Sequence, residues 1–177
     1  MYLISAYFDD NTNQRLQSVI NKIAAKTGND FMVRNNVPPH LTISSIEARN
    51  VEVLIPAFKE LSMSLDRLPI GRVSFASVGQ LLPYVMFIAP VLNEYLLNIA
   101  NAVYEAFTDI PETSIIKFYR PLSWMPHVTL GKTLNKDQMR VAFEVMQEEF
   151  TPFDGYIERL GLSKVNPHEE VARIELK

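Results

Sequence analysis

Pro39-His40-Leu41-Thr42-Ile43 and Pro126-His127-Val128-Thr129-Leu130 share one pattern: Pro, His, aliphatic, Thr, aliphatic. In an extended strand, side chains alternate between faces. His and Thr, two positions apart, therefore point the same way, and the aliphatic residues point the other way, into a core. Each segment offers one imidazole and one hydroxyl on one face of an anchored strand. The chain has only three histidines, and this pattern uses two of them. Brought together, two such pairs make a symmetric proton-transfer site around an anion.

Outward from these segments, the same order of elements occurs twice. Residues 2–8 read as a buried strand. Residues 11–26 read as a helix: Asn11 or Thr12 caps it, Leu16, Val19, Ile20 and Ile23 form its apolar stripe, and Gly28 ends it. Residues 41–46 form the first His-x-Thr strand, and 50–65 a helix whose first turn is disturbed by Pro56. Residues 71–78 are a strand, and 79–83 a break. The second round has a strand at 84–89, a helix at 93–107, a long loop at 108–125 and the second His-x-Thr strand at 128–131. A helix at 136–150, capped by Asn135, and a strand at 156–164 complete it. A turn at Asn166-Pro167 leads to a last strand at 171–176. Tyr2 and Tyr84, His40 and His127, Pro69 and Pro152 occupy matching places. The expectation is an internal duplication, roughly 1–80 and 84–177, within one domain spanning 1–177. A duplicated unit predicts a pseudo-twofold architecture, with the two motif strands facing each other across a central groove.

Bulk composition narrows the function. A hydrophobic fraction of 47% over 177 residues supports a full core. A net charge of −3 argues against a broad nucleic-acid coat, yet leaves room for a small phosphate ligand or an RNA end. The absence of cysteine removes disulfides, thiolate nucleophiles and cysteine metal sites, and suits the cytoplasm. The N-terminus lacks the basic region of a signal peptide, and no apolar run approaches a membrane span. The expectation is a cytoplasmic monomer with no membrane partner.

Local charge differs from the bulk. Between Thr113 and Lys136 lie Lys117, Arg120, Lys132 and Lys136 with no acid; between Phe31 and Ile46 lies Arg34 with no acid. Both motifs therefore sit in a positive field suited to a phosphate. Other chemistries fit less well. A zinc site wants three protein ligands, and His168, in Asn166-Pro167-His168-Glu169-Glu170, reads as a solvated turn residue. No P-loop, Gly-rich dinucleotide fingerprint or nucleophile elbow occurs.

On His40-Leu41-Thr42-Ile43, His127-Val128-Thr129-Leu130 and the repeated element order, the chain resembles the two-histidine phosphoesterase superfamily, which includes bacterial 2′–5′ RNA ligases and cyclic phosphodiesterases. The resemblance implies a bilobal α+β fold, with two antiparallel sheets lining a central cleft and helices outside, and catalysis with no metal and no cofactor. It makes His40 and His127 the acid/base pair, and Thr42 and Thr129 donors to phosphate oxygens. Lys132 falls where many relatives carry a basic residue; Arg120 and Tyr119 are further candidate substrate contacts. Tyr119 or Trp124 is expected to stack on a base, whereas Phe118 is expected to close the core at the base of its loop. Ser44-Ser45 stands where relatives often carry a bulky apolar pair. The implied partner is a nucleotide or RNA end bearing a 2′,3′-cyclic phosphate or a 2′–5′ linkage. Two other readings remain: a non-catalytic nucleotide- or RNA-binding module on the same fold, and a structural protein in which the two motifs are coincidental.

Overall fold

A computed structural model describes residues 1–65, 69–165 and 167–177 of the chain. β1 (Tyr2–Phe8) is flanked on one edge by β2 (Leu41–Glu47) and on the other by the second part of β7 (Phe153–Lys164), which also carries β8 (Glu169–Glu175). β4 (Val85–Pro90) is flanked by β6 (Val128–Gly131) and β3 (Gly71–Leu81), and β3 pairs with the first residues of β7. Every pairing is antiparallel. The two halves join along β3–β7 and again through a single β2–β6 pair, Leu41 with Val128, giving one continuous eight-stranded sheet once the short β5 (Ser114–Ile115) is included. The fold is α+β, as expected, with the two antiparallel halves hydrogen-bonded into one sheet.

The registers of the halves match pair by pair. Ser5 opposite Thr42 has its counterpart in Phe87 opposite Thr129, and Ala6 opposite Leu41 in Ile88 opposite Val128. Each ladder shifts at the same place, between Ile4 and Ser5 and between Met86 and Phe87. On the other edges, Ser5 faces Gly161 as Phe87 faces Gly79. The third strand of each half is exchanged: β3 lies beside β4, and β7 beside β1.

Helices cover the core face of the sheet. α1 (Asp10–Thr27) buries Leu16, Ile20 and Ile23; α4 (Glu94–Phe107) buries Leu96, Ile99, Val103 and Phe107; α5 (Lys136–Glu149) buries Met139, Ala142, Val145 and Met146. These spacings of three and four place one apolar stripe on each helix. α1 packs on α5, and α3 (Ile55–Leu65) on α4. Asn135 forms a full capping box with Gln138, and Gly28 ends α1 in the left-handed region at φ 70°. No helix among the described residues is long and apolar enough to cross a membrane.

Several expected boundaries move. The expected break at 79–83 is strand to Leu81: Gly79 is not a breaker but the place where the Phe87 ring lies on β3, since a Cβ there would run into that ring. α3 begins at Ile55 rather than residue 50, which puts Pro56 in the first turn, where a missing N–H leaves no helical bond unmade. The loop at 108–125 contains β5 and a 3₁₀ turn, Lys117–Tyr119. β7 starts at Phe153, ahead of its expected start, and β8 spans Glu169–Glu175. Asn166, half of the expected turn, lies outside the described residues.

The α1 cap is Asp9, not Asn11 or Thr12. Its carboxylate accepts from the Thr12 amide at 3.1 Å, from the Thr12 hydroxyl, and from the Tyr156 amide of β7 at 2.9 Å. Partial burial raises its pKa, but these hydrogen bonds outweigh that and hold it below the usual carboxylate range. Asp9→Ala is expected to lose about 1–2 kcal/mol in urea unfolding at neutral pH. Because the folded-state pKa is depressed, the difference from wild type is complete above pH 3.8 and is lost as the pH falls through the lower folded-state value.

Candidate active site

β2 and β6 start at the point where they touch. Leu41 and Val128 are Cα partners, both 0% exposed, and face the core. Alternation turns the residues on either side of them to the opposite face. Antiparallel register then sets His40 opposite Thr129 and Thr42 opposite His127. The two histidines occupy diagonal corners, about 7–8 Å apart by the usual dimensions of such a ladder. All four side chains line one cleft of about 640 Å³, within the range of nucleotide-sized ligand sites.

Both imidazoles are oriented in the same way. Nδ1 of His40 lies 2.8 Å from the Pro38 carbonyl, and Nδ1 of His127 lies 2.9 Å from the Met125 carbonyl. A carbonyl only accepts, so in each ring Nδ1 carries the proton and donates. Nε2 is left as a lone pair in the neutral ring, or as a second donor in the cation. The site therefore presents two proton-exchanging atoms, each beside a threonine hydroxyl.

The surroundings of the two rings differ. His40 has the Tyr7 ring at 6.1 Å and the His168 ring stacked on it at 6.3 Å. Burial, then the neighbouring His168, His127 and Lys132 charges, push its pKa down from 6.5 to about 4, against the opposing hydrogen bond to Pro38. His127 instead meets the edge of Phe87 at 5.4 Å. Behind Tyr7 lies an ionic network: Arg159 sits 4.4 Å over the Tyr7 ring and 3.3 Å from Glu170, which Arg173 also holds at 3.3 Å. Burial raises the Tyr7 pKa, followed by the Glu170 charge.

The loop before the second motif is fastened to β2. Trp124 Nε1 donates to the Thr42 carbonyl at 3.0 Å, and the Ile116 amide donates to the Ser45 carbonyl at 2.9 Å. These bonds satisfy an edge that β6 leaves open after one pair, and they set Tyr119 at the cleft wall. Phe31 of α2 (Phe31–Arg34) also lines the cleft, and Lys132 Nζ lies 5.6 Å over its ring.

Of the residues singled out from sequence, His40, Thr42, His127, Thr129, Lys132 and Tyr119 share the cleft, while Arg120 does not line it. Phe118 does not close the core: it is 63% exposed, with Lys117 Nζ 4.8 Å over its ring, because the 3₁₀ turn gives its inward place to Tyr119. Trp124 packs against the core and holds the loop. His168 is not a bystander in the solvent; it lines the cleft. A signal for it existed. All three histidines of the chain follow a proline, and Pro167-His168 repeats the dipeptide of both motifs. Phe31 and Tyr7 carried no such mark.

The family model of the 2′-5′ RNA ligase superfamily matches residues 12–169. No curated protein matches the chain in sequence. Among solved structures, a phosphoesterase superposes with a TM-score of 0.63 at 15% identity, covering 99% of this chain and 98% of its own. The protein TT0787 of Thermus thermophilus superposes with a TM-score of 0.64 at 19% identity, covering 99% and 97%. E. coli LigT complexed with NADP+ superposes with a TM-score of 0.60 at 16% identity, covering 99% and 96%. At these identities the likeness is one of fold.

Three histidines give three imidazole signals in an NMR titration, each assignable by a single alanine variant. The His40 signal is expected to titrate with a midpoint of about 4 in the protein without substrate. A midpoint at the ordinary 6.5 would mean that its ring is not enclosed by Tyr7 and His168.

Proposed function

The chain belongs to the 2′-5′ RNA ligase superfamily, and we propose that it is a metal-independent phosphoesterase that hydrolyses, or in reverse joins, 2′,3′-cyclic phosphate or 2′–5′ phosphodiester bonds of nucleotides or RNA ends. The observation that carries this reading is the diagonal pair of imidazoles, each clamped at Nδ1 and each beside a threonine in one cleft. The matched registers of the two halves support reading the chain as one two-lobed domain built from two copies of a unit.

In hydrolysis, the neutral imidazole of His40 takes a proton from water through Nε2 as the water oxygen bonds to phosphorus. On the opposite side the P–O bond to the ribose breaks, and protonated His127 gives its Nε2 proton to the leaving oxygen. Assigning the base to His40 follows from its surroundings, which disfavour its cation. After one turnover His40 holds the proton that His127 has lost, and exchange with solvent resets the pair. Thr42, Thr129 and Lys132 donate to the non-bridging oxygens as charge builds there. A ribose 5′-hydroxyl in place of water makes the same exchange a ligation. Tyr119 and Phe31, which both line the cleft, offer ring faces for a nucleobase. The NADP+ held by E. coli LigT, which shares the fold, accords with an occupant of nucleotide chemistry.

The test is a substrate panel in excess chelator: cyclic mononucleotides, cyclic-phosphate RNA ends, 2′–5′-linked oligomers and ADP-ribose cyclic phosphate. His40→Ala and His127→Ala are each expected to lower kcat/KM by ~10²–10⁴-fold, with unfolding midpoints near that of wild type. Unchanged turnover in either variant overturns the assignment. Tight binding by the wild type without turnover on any substrate points instead to a binding module.

A further inference from the structure

The third histidine has no counterpart in the other half of the molecule. It stands on the turn between β7 and β8, and β8 is the strand that only the first lobe possesses. Val165, Pro167 and His168 all line the cleft. The His168 ring lies at 20° to the His40 ring with centroids 6.3 Å apart, a parallel stack, while the Tyr7 ring meets His40 at 44°. Together with the Nδ1 bond to Pro38, these two rings restrain His40 from three directions. Among the described residues, His127 has the Phe87 ring beside it and the Nδ1 bond to the Met125 carbonyl.

We infer that His168 is a positioning residue for His40: its ring is the wall that holds the His40 imidazole flat, excludes water from one face of it, and keeps Nε2 aimed at the phosphate. The inference rests on the acid/base reading of His40. It goes beyond it by assigning a role to a side chain outside both motifs.

The charges around the pair support this role. Glu170 of β8 lies close to His168 in sequence and is already shared between Arg159 of β7 and Arg173 of β8. Its carboxylate raises the pKa of His168 only against a larger lowering by burial. Facing His40 from the other elements are Tyr7 of β1, His127 ahead of β6 and Lys132 just after it. A neutral His168 stacks on a neutral His40 at no electrostatic cost, whereas two cations at this separation repel. The stack therefore strengthens as the pair loses protons, and its intact form is the one in which His40 accepts a proton.

Removing the wall is expected to let water reach His40 and to relieve the repulsion, and both effects act in one direction. In the NMR titration, His168→Ala is expected to raise the His40 midpoint by about one pH unit. Lys132 and His127 remain, so the midpoint stops short of 6.5. His168→Phe keeps a ring on His40 but removes the titrating group, so its midpoint is expected to rise by less than in His168→Ala. With 2′,3′-cyclic AMP as substrate, the acidic limb of kcat/KM moves up with the same midpoint in His168→Ala. There kcat drops roughly ten- to a hundredfold while KM holds, and His168→Phe restores most of it. An unchanged His40 midpoint in His168→Ala, or a His168→Phe variant that behaves like His168→Ala, overturns the proposal. If the wild type turns over neither 2′,3′-cyclic AMP nor any other substrate of the panel, the acid/base reading fails while the titration still decides the role of His168.

Discussion

One backbone contact, Leu41 with Val128, is what the candidate site depends on. Both strands begin there and run away from each other, so they overlap only at their first residues. A longer overlap would bury the motifs in a continuous ladder, and none at all would leave them in separate lobes. With one pair, the fully buried Leu41 and Val128 pin the junction from the core side. Strand alternation then delivers two imidazoles and two hydroxyls to the same patch of the opposite face. The helices, the exchanged third strands and the Trp124 tether all serve to keep this short overlap fixed.

Around this junction the halves match in backbone and differ in side chains. Ser5 and Phe87 occupy equivalent registers beside Thr42 and Thr129, one small and polar, the other large and apolar. Gly161 and Gly79 are likewise equivalent, and each makes room for an aromatic ring of the neighbouring strand: Tyr7 over the first and Phe87 over the second. Tyr7 brings Arg159 and Glu170 with it, whereas Phe87 meets the His127 ring. A symmetric backbone thus holds unequal walls around the two imidazoles, and under the proposed chemistry that inequality is what distinguishes a base at His40 from an acid at His127.

Much of this was legible in the sequence, and what was not has physical reasons. Apolar spacing located α1, α4 and α5, because a helix on a sheet must bury one stripe and the spacing records it. The strand pattern of His40-Leu41-Thr42 and His127-Val128-Thr129 located the four central side chains, because alternation is a local property. Gly79 misled, since a glycine that admits a neighbouring ring and a glycine that breaks a strand look alike until the ring is seen. Phe118 and Tyr119 are adjacent aromatics, and only the 3₁₀ turn decides which faces inward. His168 was lost because its relation to His40 spans most of the chain and runs through β8, a strand outside the repeated unit.

The same geometry limits how much the site has to move. Each proton-exchanging nitrogen is aimed by a bond from its own ring to a carbonyl two residues earlier in the chain. In both motifs that carbonyl, of Pro38 or of Met125, is the one bonded to the nitrogen of a proline, and a proline fixes its own φ. The aim of Nε2 is therefore set by short, local backbone geometry at both corners. The two imidazoles and the two hydroxyls are thereby placed together by the fold itself, which is the pre-positioning that the proposed acid/base chemistry calls for. His168, Tyr119 and Phe31, walls that do not stand on strands, come from a turn, a 3₁₀ turn and a short helix, and of these His168 is the one whose ring stacks on His40.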